Sequence, residues 1–364
     1  MSMKKNALKV LTTVLSLMLV LAIVGCGSPA AAPSESASAA ESSAAPSESV
    51  EASTEASAEA TPSEETAEAK DFTISFIVAT TNNPFYVSME EGARRKAEEL
   101  KEQGINVTLE VAGPQKETDL ESLTNFFMNS ITKKVDGICI CPSDSQAIIP
   151  VLKTANEAGI PVILMIFQLD EKMVEQEGVE YLTWIGSDNY ETGVLAGEKM
   201  GEYFEGEEGP IEIAVLEGVA GTDVSELRCG GFKDGVAKFA NCEVVTSQPA
   251  DWVQENGFNV FQNILQANPN IKGVFAASDL MAVGAAQAAE AAGKGGEIII
   301  MGVDYHESAQ AAIKEGIMYG SVAHYPDNIG AVCVQTMIDH LLDPSAPVEP
   351  VIITDMELVT ADMM

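Results

Sequence analysis

Positive charge is what this chain has least of: 20 Lys and Arg stand against 55 Asp and Glu, for a net charge of −35. Nucleic acid and anionic lipid surfaces need the opposite sign, so both are excluded as ligands, and the acidity reads as solubility. Histidine is rarer still. His306, His324 and His340 show no metal-ligand spacing relative to the Cys139-x-Cys141 pair, so no metal is expected. Beyond Cys26 the cysteines are Cys139, Cys141, Cys229, Cys242 and Cys333, an odd number that implies no disulfide framework. Cys139 and Cys141 lie two apart in an apolar run and point to one face of a strand as small buried hydrophobes. Unpaired thiols in an exported chain point to a reducing habitat. Enzyme signatures are missing as well. There is no glycine loop ending in Lys-Ser/Thr, no Gly-x-Gly-x-x-Gly, no Gly-x-Ser-x-Gly and no His-Glu-x-x-His, so neither catalysis nor a cofactor is expected. Asp304-Tyr305-His306-Glu307 is rich in catalytic residue types but lacks a nucleophile or metal partner, and reads as a binding loop.

Long apolar runs are also lacking. The run from Val10 to Val24 is of signal-peptide length, follows Lys4, Lys5 and Lys9, and is too short for a comfortable membrane span. It closes on Ile23-Val24-Gly25-Cys26, a bacterial lipoprotein signal over residues 1–25 with Cys26 as the lipid-bearing residue. Residues 26–70 follow as a tether: from residue 27 on, nine Glu and one Lys sit among Ser, Ala, Pro and Thr, with no aromatic. Such a segment cannot bury enough surface to offset chain entropy, and its like charges extend it. The expected location is extracytoplasmic, lipid-anchored to the cell membrane.

From Asp71 onward 294 residues remain, carrying a net charge of −30, enough for two domains. Strands are expected near Ile74–Ala79, Val107–Val111, Gly137–Cys141, Pro161–Met165, Tyr181–Ile185, Glu212–Leu216, Glu243–Ser247, Gly273–Ala276 and Ile298–Gly302. Between them, residues such as Phe85, Met89, Ala93, Ala97 and Leu100 recur at helical spacing. The alternation predicts an α/β fold with parallel sheets covered by helices. The pattern starts twice, at Asp71 and again at Glu212, which predicts two similar lobes. In such sheets ligands sit at the carboxyl ends of strands.

Those strand ends carry the candidate residues. Asn83 and Pro84 suit a helix start, while Phe85 and Tyr86 face a crevice as readily as a core. Arg228 is either a surface charge or a guanidinium fork for hydroxyl or carboxylate recognition. Trp252 is either core or a flat face for the C–H side of a sugar. Ser278, Asp304 and His324 each offer a group able to bond a polyhydroxy ligand, although a satisfied core histidine is the plainer reading of His324.

Asn82-Asn83-Pro84-Phe85-Tyr86, Pro142-Ser143-Asp144-Ser145, Ile185-Gly186-Ser187-Asp188-Asn189, Gly218-Val219-Ala220-Gly221-Thr222, Ser247-Gln248-Pro249-Ala250-Asp251, Gly302-Val303-Asp304 and Pro326-Asp327-Asn328-Ile329-Gly330 occur in one order over residues 71–360. In these the chain resembles the ribose-binding family of bacterial periplasmic sugar-binding proteins that serve ABC transporters. The resemblance implies the type I periplasmic binding protein fold: two Rossmann-like lobes joined by a three-segment hinge and closing on a ligand. It assigns 71–187 plus 325–350 to the N-terminal lobe and 188–324 plus 351–364 to the C-terminal lobe. It implies that Asn83, Phe85, Tyr86, Arg228, Trp252, Ser278, Asp304 and His324 line the cleft, with Phe85 and Trp252 sandwiching a sugar ring. Ribose binders carry an Asp-Arg pair where this chain has Ile166-Phe167, so those two residues complete the expected site and argue against ribose itself. The implied partners are a monosaccharide-like small molecule and a membrane permease, with the binding protein a monomer. A different class of function is a sensor presenting a ligand, such as a furanosyl autoinducer, to a membrane receptor.

Overall fold

The computed structural model describes residues 70–364, and the signal, Cys26 and the tether up to residue 69 lie outside the described residues. Lys70 already belongs to the first strand, one residue earlier than the composition indicates. The first half runs β1 (Lys70–Ile77), α1 (Pro84–Lys101), β2 (Ile105–Ala112), α2 (Leu120–Lys133), β3 (Gly137–Ile140), α3 (Ile149–Glu157), β4 (Val162–Met165), α4 (Glu171–Glu177) and β5 (Thr183–Gly186). The second runs α5 (Asn189–Tyr203), β6 (Ile211–Glu217), α6 (Asp223–Val236), β7 (Cys242–Pro249), α7 (Gln254–Ala267), β8 (Gly273–Ala276), α8 (Asp279–Ala291), β9 (Ile299–Asp304), α9 (Glu307–Lys314) and β10 (Gly320–Ala323). The chain returns through α10 (Pro326–Leu342), β11 (Val351–Ile353) and β12 (Glu357–Thr360).

Two six-stranded sheets result, in the orders β11-β5-β4-β3-β1-β2 and β12-β10-β9-β8-β6-β7. Every pairing is parallel except that of β12 with β10, so the molecule is α/β with two lobes, as expected. The central strands are short apolar runs because helices cover both faces: all four residues of β3, β4, β8 and β10 are buried. Cys139 and Cys141 sit in that interior, and the five cysteines named above are all free.

The boundary expected near residue 350 needs correction. Val351–Ile353 pairs in parallel with Trp184–Gly186, so it belongs to the first sheet, and only Glu357–Thr360 joins the second. The chain therefore changes lobes three times: at Ser187–Asp188, at His324–Tyr325 and at residues 354–356 rather than after residue 350. The crossings are tied together. Ser187 Oγ and Thr354 Oγ1 are 3.2 Å apart, and the Thr354 N–H donates to the Gly186 carbonyl at 2.8 Å.

Local chemistry aims the strand ends. Asn83 caps α1, its Oδ1 accepting from the Phe85 N–H at 3.0 Å, with Pro84 in the first turn. That cap fixes where Phe85 and Tyr86 begin the helix. In the second lobe α5 and α6 cross closely, since a Cβ on Gly193 would lie 2.1 Å from the Arg228 carbonyl oxygen. Only glycine admits that approach, and it sets the position of Arg228.

Candidate functional site

The carboxyl ends of both sheets face one another across a small cavity of about 30 Å³. The first lobe supplies Asn83, Phe85 and Tyr86 after β1, Glu117 after β2, and Ile166 and Phe167 after β4. The second supplies Val224 and Arg228 from α6, Trp252 after β7, Ser278 after β8 and Asp304 at the end of β9. Nine of the ten residues singled out from sequence thus surround one space, while His324 does not line it.

Arg228 organises the polar side. It is buried, and its Nε donates to Asn189 Oδ1 at 2.9 Å and its Nη1 to the Ala277 carbonyl at 2.8 Å. Nη1 also meets Asp304 Oδ1 at 3.4 Å, and the guanidinium carbon stands 5.8 Å from the Trp252 ring centroid. A buried cation requires this degree of compensation. Burial raises the Asp304 carboxyl above its ordinary range, with Arg228 and then His306 opposing the rise.

His324 stands behind Arg228, and the expectation that it lines the cleft is corrected by this geometry. Its Nδ1 is 3.1 Å from Arg228 Nη2, and a guanidinium has no lone pair, so Nδ1 must accept. The proton then sits on Nε2, which donates to Thr192 Oγ1 at 2.8 Å, and Thr192 passes its own hydrogen bond to the Asp188 carbonyl at 2.7 Å. Burial and the Arg228 charge hold the His324 pKa well below the usual range, in keeping with this neutral form. His324 is thus a buried link from two lobe crossings to Arg228. Asp279 accepts from Ser321 Oγ at 2.7 Å and from the His306 N–H at 2.8 Å, fixing the loop beyond Asp304.

The rest of the wall is apolar and aromatic. Phe85 and Tyr86 meet edge to face with centroids 5.4 Å apart, and Ile166 and Phe167 are both buried. The Trp252 indole lies against Gly218, where a Cβ would come within 1.9 Å of the ring. Three lining residues hold positive φ: Ile166 at 67°, Trp252 at 63° and Asp304 at 106°. Each conformation costs on the order of 1–3 kcal/mol, and such strain clusters where side chains must be aimed at a ligand. Ser278 Oγ and Trp252 Nε1 are buried there without a hydrogen-bond partner. Buried polar groups without a partner are costly, and these two line the cavity, where a ligand can satisfy them.

Glu117 and Val224 escape sequence reading. Glu117 lies in an acidic loop after β2 and looks like one more surface carboxylate among 55 acidic residues. Its one sequence signal is position, since it follows a strand end that feeds the cleft. In the structure it is half-buried and accepts from the Tyr86 hydroxyl at 3.0 Å. Burial pushes its carboxyl up to about 7, with the Tyr86 hydrogen bond opposing.

Two lobes of parallel sheet with a polar and aromatic cleft between their strand ends define a small-molecule binding protein. The chain belongs to the periplasmic binding protein domain family, whose model matches residues 74–343. It is 37% identical to the ribose import binding protein of Escherichia coli over 276 residues, 74% of this chain and 84% of that one. A periplasmic solute-binding protein of an ABC transporter from Actinobacillus succinogenes, solved with bound D-allose, matches with a TM-score of 0.73 at 34% identity, covering 80% of this chain and 98% of that one. A solute-binding protein from Agrobacterium vitis, solved with bound D-fucose, matches with a TM-score of 0.72 at 29% identity, covering 80% and 96%. These relatives are substrate-binding transport proteins, and the chain is a binding protein rather than an enzyme.

Proposed function

We propose that this chain is the substrate-binding lipoprotein of an ABC importer, which captures a monosaccharide or sugar-like ligand as its two lobes close and delivers it to a membrane permease as a monomer. The observation that carries the reading is the pairing of flat apolar faces, Phe85 and Trp252, with Arg228, Asp304 and the unpaired donors of Ser278 and Trp252 around one interlobe cavity. A sugar ring presents C–H groups to the first set and hydroxyls to the second. Closure is supported by contacts that already span the cleft: the Gln168 N–H donates to Asp223 Oδ2 at 3.0 Å, and the Phe85 and His306 rings lie 6.3 Å apart. Ile166 and Phe167 offer the ligand no hydrogen bond from their side chains, so the ligand presents carbon to them.

Tryptophan emission tests the cleft. Trp184 is buried in the first lobe, so the signal belongs to the site only if it depends on Trp252. Titration with D-allose, D-fucose, D-ribose and D-arabinose is expected to quench or shift the emission for at least one sugar, and Trp252→Phe is expected to abolish the change. A change that survives in Trp252→Phe would remove Trp252 from the site.

Anchoring rests on the lipoprotein-like end at Cys26 and the long tether after it. Among the described residues no helix is long and apolar enough to cross a membrane. Cys26→Ala expressed in a bacterial host is expected to lose both lipid labelling and partitioning into detergent. Labelling that stays unchanged would sink the anchor.

A further inference from the structure

Glu117 is the one charged group of the cavity that the second lobe does not organise. Arg228 is committed to Asn189, Ala277, Asp304 and His324, and Asp304 to Arg228. Glu117 projects from the opposite lobe, on the loop between β2 and α2, and receives a hydrogen bond from Tyr86 alone. An ionised carboxylate has room for about four donors, and Oε2 takes none from any described residue. Across the same space Ser278 Oγ and Trp252 Nε1 are buried donors with no acceptor. The cavity thus has unfilled acceptor capacity on the first lobe and unfilled donor capacity on the second. A ligand bearing several hydroxyls, each able to give and to take a hydrogen bond, satisfies both walls. A ligand carrying only acceptors leaves Glu117 desolvated with Tyr86 as its one donor.

We propose that Glu117, held in place by Tyr86, is a specificity-determining residue. It accepts a hydrogen bond from one hydroxyl of a neutral monosaccharide, and so supplies on the first lobe the polar recognition that Ile166 and Phe167 cannot. This rests on the monosaccharide reading and sharpens it: the ligand has carbon along Ile166 and Phe167 and a hydroxyl donor at the edge facing α1.

The test is a coupling cycle between protein carboxylate and ligand hydroxyl. Wild type, Glu117→Gln, Glu117→Ala and Tyr86→Phe are titrated calorimetrically with D-allose, D-ribose and D-fucose, and then with the monodeoxy analogues of the tightest of these. Glu117→Gln is expected to weaken that sugar about tenfold and Glu117→Ala about 10- to 100-fold, with a smaller loss in Tyr86→Phe. One monodeoxy analogue is expected to bind wild type poorly and both Glu117 variants about as well as the parent sugar does. A melting curve of each variant separates lost recognition from lost folding, since Gln keeps the shape of Glu.

Acidity supplies a second readout. Tyr86 on α1, Cys141 after β3, Arg228 on α6 and Asp304 on β9 face or couple to Glu117, and burial leaves its carboxyl near neutrality. A hydroxyl that donates to the ionised form binds better as that form fills, so wild-type affinity is expected to rise between about pH 6 and pH 8. The rise is expected to flatten in Glu117→Gln. Affinity within twofold of wild type in both Glu117 variants, with every monodeoxy analogue discriminated alike, overturns the role of Glu117 and leaves the sugar reading standing. Failure of wild type to bind these three or any other neutral monosaccharide overturns both.

Discussion

Arg228→Ala is expected to abolish measurable sugar binding and to destabilise the protein by about 3–5 kcal/mol, the range for breaking a buried ion pair from one side. The reason lies in what the guanidinium satisfies. Asn189 Oδ1, the Ala277 carbonyl, Asp304 Oδ1 and His324 Nδ1 all face it within 3.4 Å, and all lose their partner once the side chain is gone. Arg228→Lys keeps the charge but loses the fork, and should fall between the two. The pH dependence has a definite sign. Asp304 is already raised by burial against the pull of Arg228, so removing Arg228 raises it further. The folded variant then holds a proton that the unfolded chain releases above about pH 4, and its stability falls as pH rises from there toward the folded pKa. Denaturant midpoints at pH 5 and pH 7 check this, with the variant comparatively more stable at pH 5. A variant as stable as wild type at pH 7 would mean that Arg228 is not the centre of this network.

The second large effect is a change of preference. Replacing the pair by Ile166→Asp and Phe167→Arg is expected to weaken the native ligand and strengthen ribose, each by about 10- to 100-fold. An apolar wall leaves facing hydroxyls unpaired at about 1–3 kcal/mol each, and a charged pair set against ligand carbon is penalised in the same way. The backbone favours the exchange. Ile166 holds φ at 67°, a region that a β-branched residue tolerates poorly and aspartate better, so part of the strain is relieved. Calorimetry of both proteins with ribose and with the tightest sugar of a panel decides the matter. If the unmodified protein already binds ribose at micromolar affinity or tighter, the apolar wall does not exclude it. The 37% identity to a ribose import binding protein makes that comparison worth running first.

Most of the fold was legible because buried parallel strands announce themselves as short apolar runs between helical patterns. The nine expected strands correspond to β1 through β9, with ends shifted by a few residues. The last three were harder. Gly320–Ala323 begins with a glycine and a serine, and β11 and β12 are edge strands of three and four residues, too short for a period to show. Pairing alone reveals that Val351–Ile353 completes the first sheet, which is why the boundary implied by the resemblance stops short of it.

The site was legible where residue type and strand-end position coincide, as at Phe85, Arg228 and Trp252. It was opaque where function depends on depth. His324 looks like a ligand donor by position, yet three-dimensional packing sets it behind Arg228. Glu117 has the commonest kind of side chain on this acidic protein, and what distinguishes it is one hydrogen bond to Tyr86 and a view of the cavity. Neither property leaves a periodic or compositional trace.

A ligand that binds only the folded state must raise the melting temperature, by an amount set by its concentration over its dissociation constant. The most direct measurement is therefore a thermal-shift titration of the purified chain against monosaccharides, deoxy sugars and polyols, run beside Trp252→Phe. A neutral monosaccharide or its deoxy relative is expected to raise the midpoint in a saturable way, with the shift reduced in the variant. A flat response to every sugar, together with a shift for a ligand of another chemical class, would contradict capture of a monosaccharide in this cleft.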